Sequence, residues 1–247
     1  DTLPTSGGAA VAERLRSQRR MKYPLSPEQS GNFRAYAHLL IEQGKRTNLT
    51  SLRDPESIER RHFTESLALL EALEHTGALI SPAIDIGTGA GIPGLPIKIV
   101  RPDLRLTLLE ATGKKVQFLE LVVRTLGLSG VTLVHGRAEE VAHDPAHRGA
   151  YTLALARALA PLRVLAELAL PFLCVGGHLA APKGSGAPRE VREAAHALEV
   201  CGGEVTAIRP LDVEGPGPTP ILVLIHKTRE TPENYPRRAG IPSKRPL

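Results

Sequence analysis

Residues Asp85–Gly94 read DIGTGAGIPG, five glycines and prolines in ten positions. Glycines that dense let something approach the backbone closely, because no Cβ stands in the way. The run Ala83–Ile86 is short and, apart from Asp85, apolar, as a buried strand would be. Open α/β sheets bind their ligands in loops at the carboxyl ends of strands. Three kinds of ligand compete for this loop: a phosphate, a dinucleotide, or a molecule with neither. A phosphate loop needs GxxxxGKS or GxxxxGKT, and neither occurs. GxGxxG does occur at Gly89–Gly94, but it begins three residues after Ile86. Pro93 and Pro96 also delay the helix that a dinucleotide fingerprint starts inside the motif. The dinucleotide reading is the weaker one.

The surrounding pattern sets the fold class. From about residue 80, short apolar runs alternate with helical patterns. We expect strands at 83–86, 107–109, 131–135, 153–155 and 178–181, with helices at 114–126 and 162–173. A helix at about 189–198 then precedes strands at 204–208 and 221–225. Such alternation predicts a mostly parallel, seven-stranded sheet with helices on both faces. The last two strands follow one another without a helix, which predicts a closing hairpin and an antiparallel last strand. The N-terminal third reads as helical. Ser26-Pro27-Glu28-Gln29 is a capping box with Pro at the first helical position, and Gly44 ends that helix. Asp54-Pro55 opens a second helix that stops at Gly77, and Thr47–Ser51 is a polar connector between the two. The expected division is a helical segment with a basic tail at 1–79, the ligand-binding domain at 80–228, and a basic C-terminal tail at 229–247.

The chain has 247 residues, a net charge of +5 and a pI of about 9.4. No run of roughly 18 apolar residues and no signal-peptide pattern is visible, so we expect a cytoplasmic protein that crosses no membrane. Cys174 and Cys201 lie in no CxxC or Cys/His ligand spacing, and the nine His are scattered. Reduced thiols are expected, with no disulfide and no metal site. The charge is uneven: residues 1–25 carry +3 and 226–247 carry +4, leaving −2 between them. Basic ends on a near-neutral body suit a polyanionic partner.

The loop fits best as apolar-Asp-x-Gly-x-Gly-x-Gly: Ile84, Asp85, Gly87, Gly89, Gly91. This resembles the first motif of class I S-adenosylmethionine-dependent methyltransferases, whose Rossmann-like fold matches the expected sheet. Their cofactor carries no phosphate but has an amino acid end and a sulfonium. Asp85 then serves the ammonium group directly or through water. A second acid is needed at the tip of the next strand for the ribose hydroxyls, and Glu110 stands there. Gly136-Arg137-Ala138-Glu139 follows the third strand, where the adenine edge is met.

The position after the fourth strand sorts acceptors. Enzymes acting on exocyclic amines carry Asn/Asp-Pro-Pro-aromatic there, whereas this chain has Ala156-Arg157-Ala158. Carbon-5 pyrimidine enzymes need a nucleophilic Cys, but Cys174 sits in an apolar run without the expected Pro-Cys context. Guanine N7 offers an accessible lone pair and needs alignment with the methyl group rather than a general base. A wider set of motifs then resembles the bacterial 16S ribosomal RNA guanine-N7 methyltransferases, the glucose-inhibited division protein B family. It comprises Asn48–Ser51 with Arg53-Asp54, Arg61-His62-Phe63 with Ser66, Asp85–Gly94, Gly113-Lys114-Lys115, Ala138-Glu139, Arg157-Ala158 and Pro182-Lys183-Gly184. One departure is Glu65, where that family usually has Asp before Ser66; the extra methylene lengthens the arm.

The resemblance implies S-adenosylmethionine as donor and a guanine in the 530 loop of 16S RNA, free or in the 30S subunit, as acceptor. It places cofactor contacts on Asp85, Gly87, Gly89, Ile92, Glu110, Ala111, Thr112, Ala138, Glu139 and Arg157, with no catalytic base. RNA contacts are expected from Arg61, His62, Lys114, Lys115 and Lys183. Lys114 and Lys115 open a helix, where the macrodipole disfavours cations, and that local cost favours an anionic ligand. A monomer is expected. The rival readings are a small-molecule methyltransferase, an NAD-dependent oxidoreductase and a non-catalytic ribosome-assembly factor.

Overall fold

A computed structural model describes residues 25–44, 54–213 and 217–247. The basic N-terminal tail and the polar connector at 47–51 lie outside the described residues. The chain opens with α1 (Pro27–Gly44), α2 (Pro55–Ile58), a π-helical turn (Glu59–Thr64) and α3 (Glu65–His75). Then follow β1 (Ala83–Ile86), α4 (Gly94–Val100), β2 (Leu106–Glu110), α5 (Gly113–Thr125), β3 (Val131–His135) and α6 (Ala138–Val141). The second half holds β4 (Tyr151–Leu155), α7 (Leu162–Ala169), β5 (Leu173–Lys183), α8 (Ala187–Glu193), α9 (Ala195–Cys201), β6 (Gly203–Pro210), β7 (Ile221–Lys227) and α10 (Ile241–Lys244).

The seven strands form one sheet in the order β3-β2-β1-β4-β5-β7-β6. All pairings are parallel except those of β7, which runs antiparallel to both β5 and β6. The expected fold class therefore holds, closing hairpin included. The order reverses between β1 and β4, and their diverging loops open the crevice where such sheets take ligands. Several boundaries differ from expectation. The helix expected to reach 173 stops at Ala169 and tightens into a 3-10 turn over Leu170–Phe172 that carries Pro171. β5 starts at Leu173 rather than 178, and the helix expected at 189–198 is two, meeting at Ala194.

The N-terminal helices belong to the same core as the sheet. Ser26 and Gln29 close the capping box in both directions, at 2.9 and 3.1 Å. Phe33, Tyr36, Ala37 and Leu40 recur at helical spacing and are fully buried, packed in one cluster with Leu95, Ile97, Leu106 and Leu108. The opposite face is covered by α7, α8 and α9 through Leu165, Ala169, Ala197 and Leu198.

The segment at 229–247, read from its composition as a tail, packs back onto the domain. Arg148 donates to the carbonyls of Thr231 and Tyr235 at 2.9 Å each. Arg237 forms a two-pronged pair with Glu167, at 2.9 and 2.6 Å, and the Glu167 side chain is 0% exposed. Lys227 is also buried, donating to the Cys201 carbonyl and to Thr231. These two cations are spent inside the protein, while Arg238, Lys244 and Arg245 stay exposed. Removing Arg237 strands a buried carboxylate, so Arg237→Ala is expected to cost about 3 kcal/mol in a urea titration. An unchanged midpoint would show that the segment does not dock in solution.

Candidate functional site

Asp85 determines how the glycine loop closes. Its side chain is fully buried, and one oxygen, Oδ2, accepts from Thr88 Oγ1 at 2.6 Å and from the Gly94 amide at 2.9 Å. Only glycine fits at 94, because an added Cβ would lie 2.8 Å from that oxygen. The loop thus bends from the end of β1 to the start of α4 around a single carboxylate. Tyr36 fixes its outer side by donating its hydroxyl to the Ala90 carbonyl. Ile92, expected beside the cofactor, is 7% exposed and lies in the core cluster with Tyr36 and Leu95.

Burial pushes the Asp85 pKa up to about 6, against the downward pull of the Thr88 and Gly94 hydrogen bonds. The unfolded carboxyl titrates at 3.8, so stability is full below that pH and is lost as pH rises toward 6. Its other oxygen, Oδ1, is buried with no hydrogen-bond partner. The carboxylate therefore has capacity for one further donor.

Glu110 sits at the tip of β2, nearly buried. Its Oε2 accepts from the Gly89 amide at 2.9 Å and its Oε1 from the Thr112 amide at 2.8 Å. Each oxygen keeps a lone pair for a ligand hydroxyl. Ala111 and Thr112 are exposed, and Thr112 precedes the first turn of α5. Lys114 is exposed and Lys115 half-buried on that turn. A Cβ at Gly89 would meet nothing closer than 4.0 Å, so this glycine faces open space. At Gly87, φ is +64° and a Cβ would come within 2.5 Å of Leu159 Cδ1. Leu159, which the sequence did not single out, therefore forms the far wall of the crevice. Open backbone at Gly89, lone pairs on Glu110 and an unpaired Asp85 oxygen together fit a ligand with hydroxyls and a cationic end.

Ala138 begins α6 beside this crevice, half-buried. Glu139 behaves differently from expectation, because its carboxylate is buried and faces the C-terminal segment. It accepts from the Gly240 amide at 2.9 Å and from Arg137 Nη2 at 3.0 Å. Burial alone would raise its pKa, but these hydrogen bonds outweigh it and hold the group below the usual range.

Arg157 leaves the end of β4 and ties the helical segment to the sheet. It donates to the Arg61 carbonyl and, at 3.2 Å, to His62 Nδ1, and it lies 3.4 Å from Glu65 Oε2. Arg61 approaches the other oxygen of Glu65, also at 3.4 Å. Burial, then the Arg157 charge, drive the His62 pKa down to about 4, so at neutral pH the ring is uncharged and its Nδ1 accepts. The π-helical turn, a feature often found at functional sites, carries Arg61 and His62 and leads into Glu65, so that all three meet Arg157. Of the five expected RNA contacts, His62 is therefore buried as a support, and Arg61 is exposed at the rim of a cleft. Lys183 is also engaged internally: its Nζ lies 2.6 Å from the Ala160 carbonyl oxygen and 2.9 Å from Glu190 Oε2. Glu190 and Thr88 went unremarked in the sequence. A hydroxyl three residues after Asp85 was a readable signal for Thr88, whereas nothing local marks Tyr36 or Glu190.

The family model for rRNA small subunit methyltransferase G matches residues 29–214, well over half of the chain. The chain belongs to the rRNA small subunit methyltransferase G family. Among the curated members of this family, the protein of Moorella thermoacetica is 46% identical over 223 residues, covering 90% of this chain and 92% of that protein. The protein of Chloroflexus aggregans is also 46% identical, over 91% and 92% respectively. Among solved structures, an S-adenosylmethionine-dependent methyltransferase from Aquifex aeolicus shares the fold. Its TM-score is 0.51 at 20% identity, over 71% of this chain and 99% of that one. A putative sarcosine dimethylglycine methyltransferase from Galdieria sulphuraria likewise gives 0.51, at 14% identity over 72% and 89%.

Two outcomes test the crevice. Gly87→Val meets both the +64° φ and Leu159, and it should lower S-adenosylmethionine affinity at least tenfold by calorimetry; unchanged affinity refutes the loop assignment. Asp85→Asn removes the titration, so the wild type, but not the variant, should lose stability of order 3 kcal/mol between pH 4 and 6 in denaturant titrations.

Proposed function

We propose that this chain transfers a methyl group from S-adenosylmethionine to N7 of a guanine in the 530 loop of small-subunit ribosomal RNA. The observation that carries this reading is the Gly89–Glu110 contact between the tips of β1 and β2, beside the unpartnered Oδ1 of Asp85, in a member of an rRNA methyltransferase family. The bound cofactor supplies an electrophilic methyl group on a sulfonium. The protein's own work is placement. The Gly89 backbone lies open to the ligand, and Glu110 has lone pairs left for ribose hydroxyls. Asp85 Oδ1, buried and without a hydrogen-bond partner, is the acceptor for the ligand's cationic end, directly or through water. Ala138 borders the adenine end, and Arg157, held by Glu65 and His62, closes the side from which the base enters.

The N7 lone pair forms the new bond as the methyl–sulfur bond breaks, so positive charge passes to the base and no proton moves. His62 is buried and engaged by Arg157, and no step of the transfer calls on it for a proton. Exposed Lys114 and half-buried Lys115, with exposed Arg61, Arg238, Lys244 and Arg245, are among the cations that can meet phosphates. We read the protein as a cytoplasmic monomer. Among the described residues, no helix is long and apolar enough to cross a membrane.

The test is transfer of labelled methyl to 16S RNA and to 30S particles from a strain lacking the enzyme, with borohydride/aniline cleavage to locate N7-methylguanine. No transfer to either substrate overturns the reading. Replacing Lys114 and Lys115 together by Ala should weaken RNA binding and reduce the slope of log K against log salt by about 1 per lost phosphate contact. An unaltered slope removes them from the interface.

A further inference from the structure

Next to the crevice, a cleft of about 540 Å³ opens between the ends of β4 and β5. It has room for a purine and its sugar. Its lining contains no Phe, Tyr, Trp or His among the described residues, but Pro161, Pro182, Pro218 and Pro220 all border it. Proline rings are flat-sided, apolar and rigid, and with the Arg61 and Arg157 guanidinium planes they supply the faces on which a splayed base stacks in a protein so poor in aromatics.

Two carboxylates line the same cleft, and they differ in what they have left to give. Glu190 Oε2 is committed to the Leu162 amide and to Lys183 Nζ, at 2.9 Å each, which makes it a strut beneath the loop after β4. Glu65 is held in place by charge alone: Arg61 Nε stands 3.4 Å from Oε1 and Arg157 Nη1 stands 3.4 Å from Oε2. Those separations steer the carboxylate without forming short hydrogen bonds, and its lone pairs stay available. Burial raises the Glu65 pKa, against the pull of the Arg157, Arg61 and Arg60 charges.

We propose that Glu65 is the specificity-determining residue for guanine, its two oxygens accepting N1–H and N2–H of the base while N7 is turned toward the β1–β4 crevice. This rests on the function proposed above. The pairing is bidentate, as carboxylates favour with two parallel donors. Adenine presents a lone pair at N1 in place of a donor, so the same carboxylate repels it. The contact also works in the reaction itself. Once N7 carries the methyl group the base is cationic, and N1–H and N2–H become stronger donors. The hydrogen bonds to Glu65 therefore tighten as the charge arrives, the differential binding that raises kcat. The longer Glu side chain, in place of Asp at this position, carries the carboxylate one methylene further into the cleft.

The experiment uses the full chain and 30S particles reconstituted with 16S RNA carrying guanine, inosine or adenine at the target position. Inosine lacks only the N2 amine. The wild type should lose about tenfold in kcat/KM on inosine, whereas Glu65→Ala should be at least tenfold slower on guanine and treat guanine and inosine alike. Glu65→Gln presents an amide that donates to adenine N1 where the carboxylate repelled it, so its guanine-to-adenine ratio should fall at least tenfold. S-adenosylmethionine affinity, measured on each variant, should stay within about threefold of the wild type, which separates misfolding from lost recognition. A Glu65→Ala enzyme that keeps the wild-type guanine-to-inosine ratio overturns the proposal while leaving the proposed function intact. A wild type that makes no N7-methylguanine on the guanine particle overturns that function and, with it, this proposal.

Discussion

One buried carboxylate holds the crevice in shape. Asp85 Oδ2 joins Thr88 to Gly94, and so it fixes both the exit of β1 and the entry of α4. Without that tie the backbone between them would have no reason to leave the Gly89 amide pointing at Glu110, the contact that joins the tips of β1 and β2. The cost is a carboxyl group stripped of water, visible in its raised pKa and in the unpaired Oδ1. Sites commonly hold such unfavourable groups where a ligand completes them.

Arg157 does for the N-terminal helices what Asp85 does for the loop. A guanidinium at the end of a parallel strand would be costly if left without partners. Here it takes the Arg61 carbonyl, His62 and Glu65, and through them it orients the π-helical turn against the sheet. The helical segment is thereby part of the site. It shares a hydrophobic cluster with α4 and α5, and it delivers a carboxylate to the cleft beside the crevice.

What the sequence made legible was local. The alternation of apolar runs placed all seven strands, and the acid read at the tip of β2 does meet the glycine loop, through the Gly89 amide. Boundaries drifted where buried elements lack a polar face: α4 is buried along its whole length, so no helical stripe marks it. Some charged side chains meet partners that no local pattern announces. Lys183 reads as a free cation in a Pro-Lys-Gly turn, yet its partner Glu190 lies on the next helix. Glu139 reads as a ligand contact, yet its carboxylate answers an amide 101 residues away. Such pairings depend on how the layers stack, which periodicity and turn chemistry do not encode.

The return of the C-terminal segment has a consequence for the order of events during synthesis. The tip of β3 is pinned through Glu139 by Gly240, and α7 is pinned through Glu167 by Arg237. Most of the sheet can pair as its strands emerge, but these two anchors cannot form until nearly the whole described chain is available. Contacts of such long sequence separation close late, because their loop entropy must first be offset by the rest of the fold. Until residues 237–240 have been made, the start of α6 and the middle of α7 therefore lack the partners that hold them.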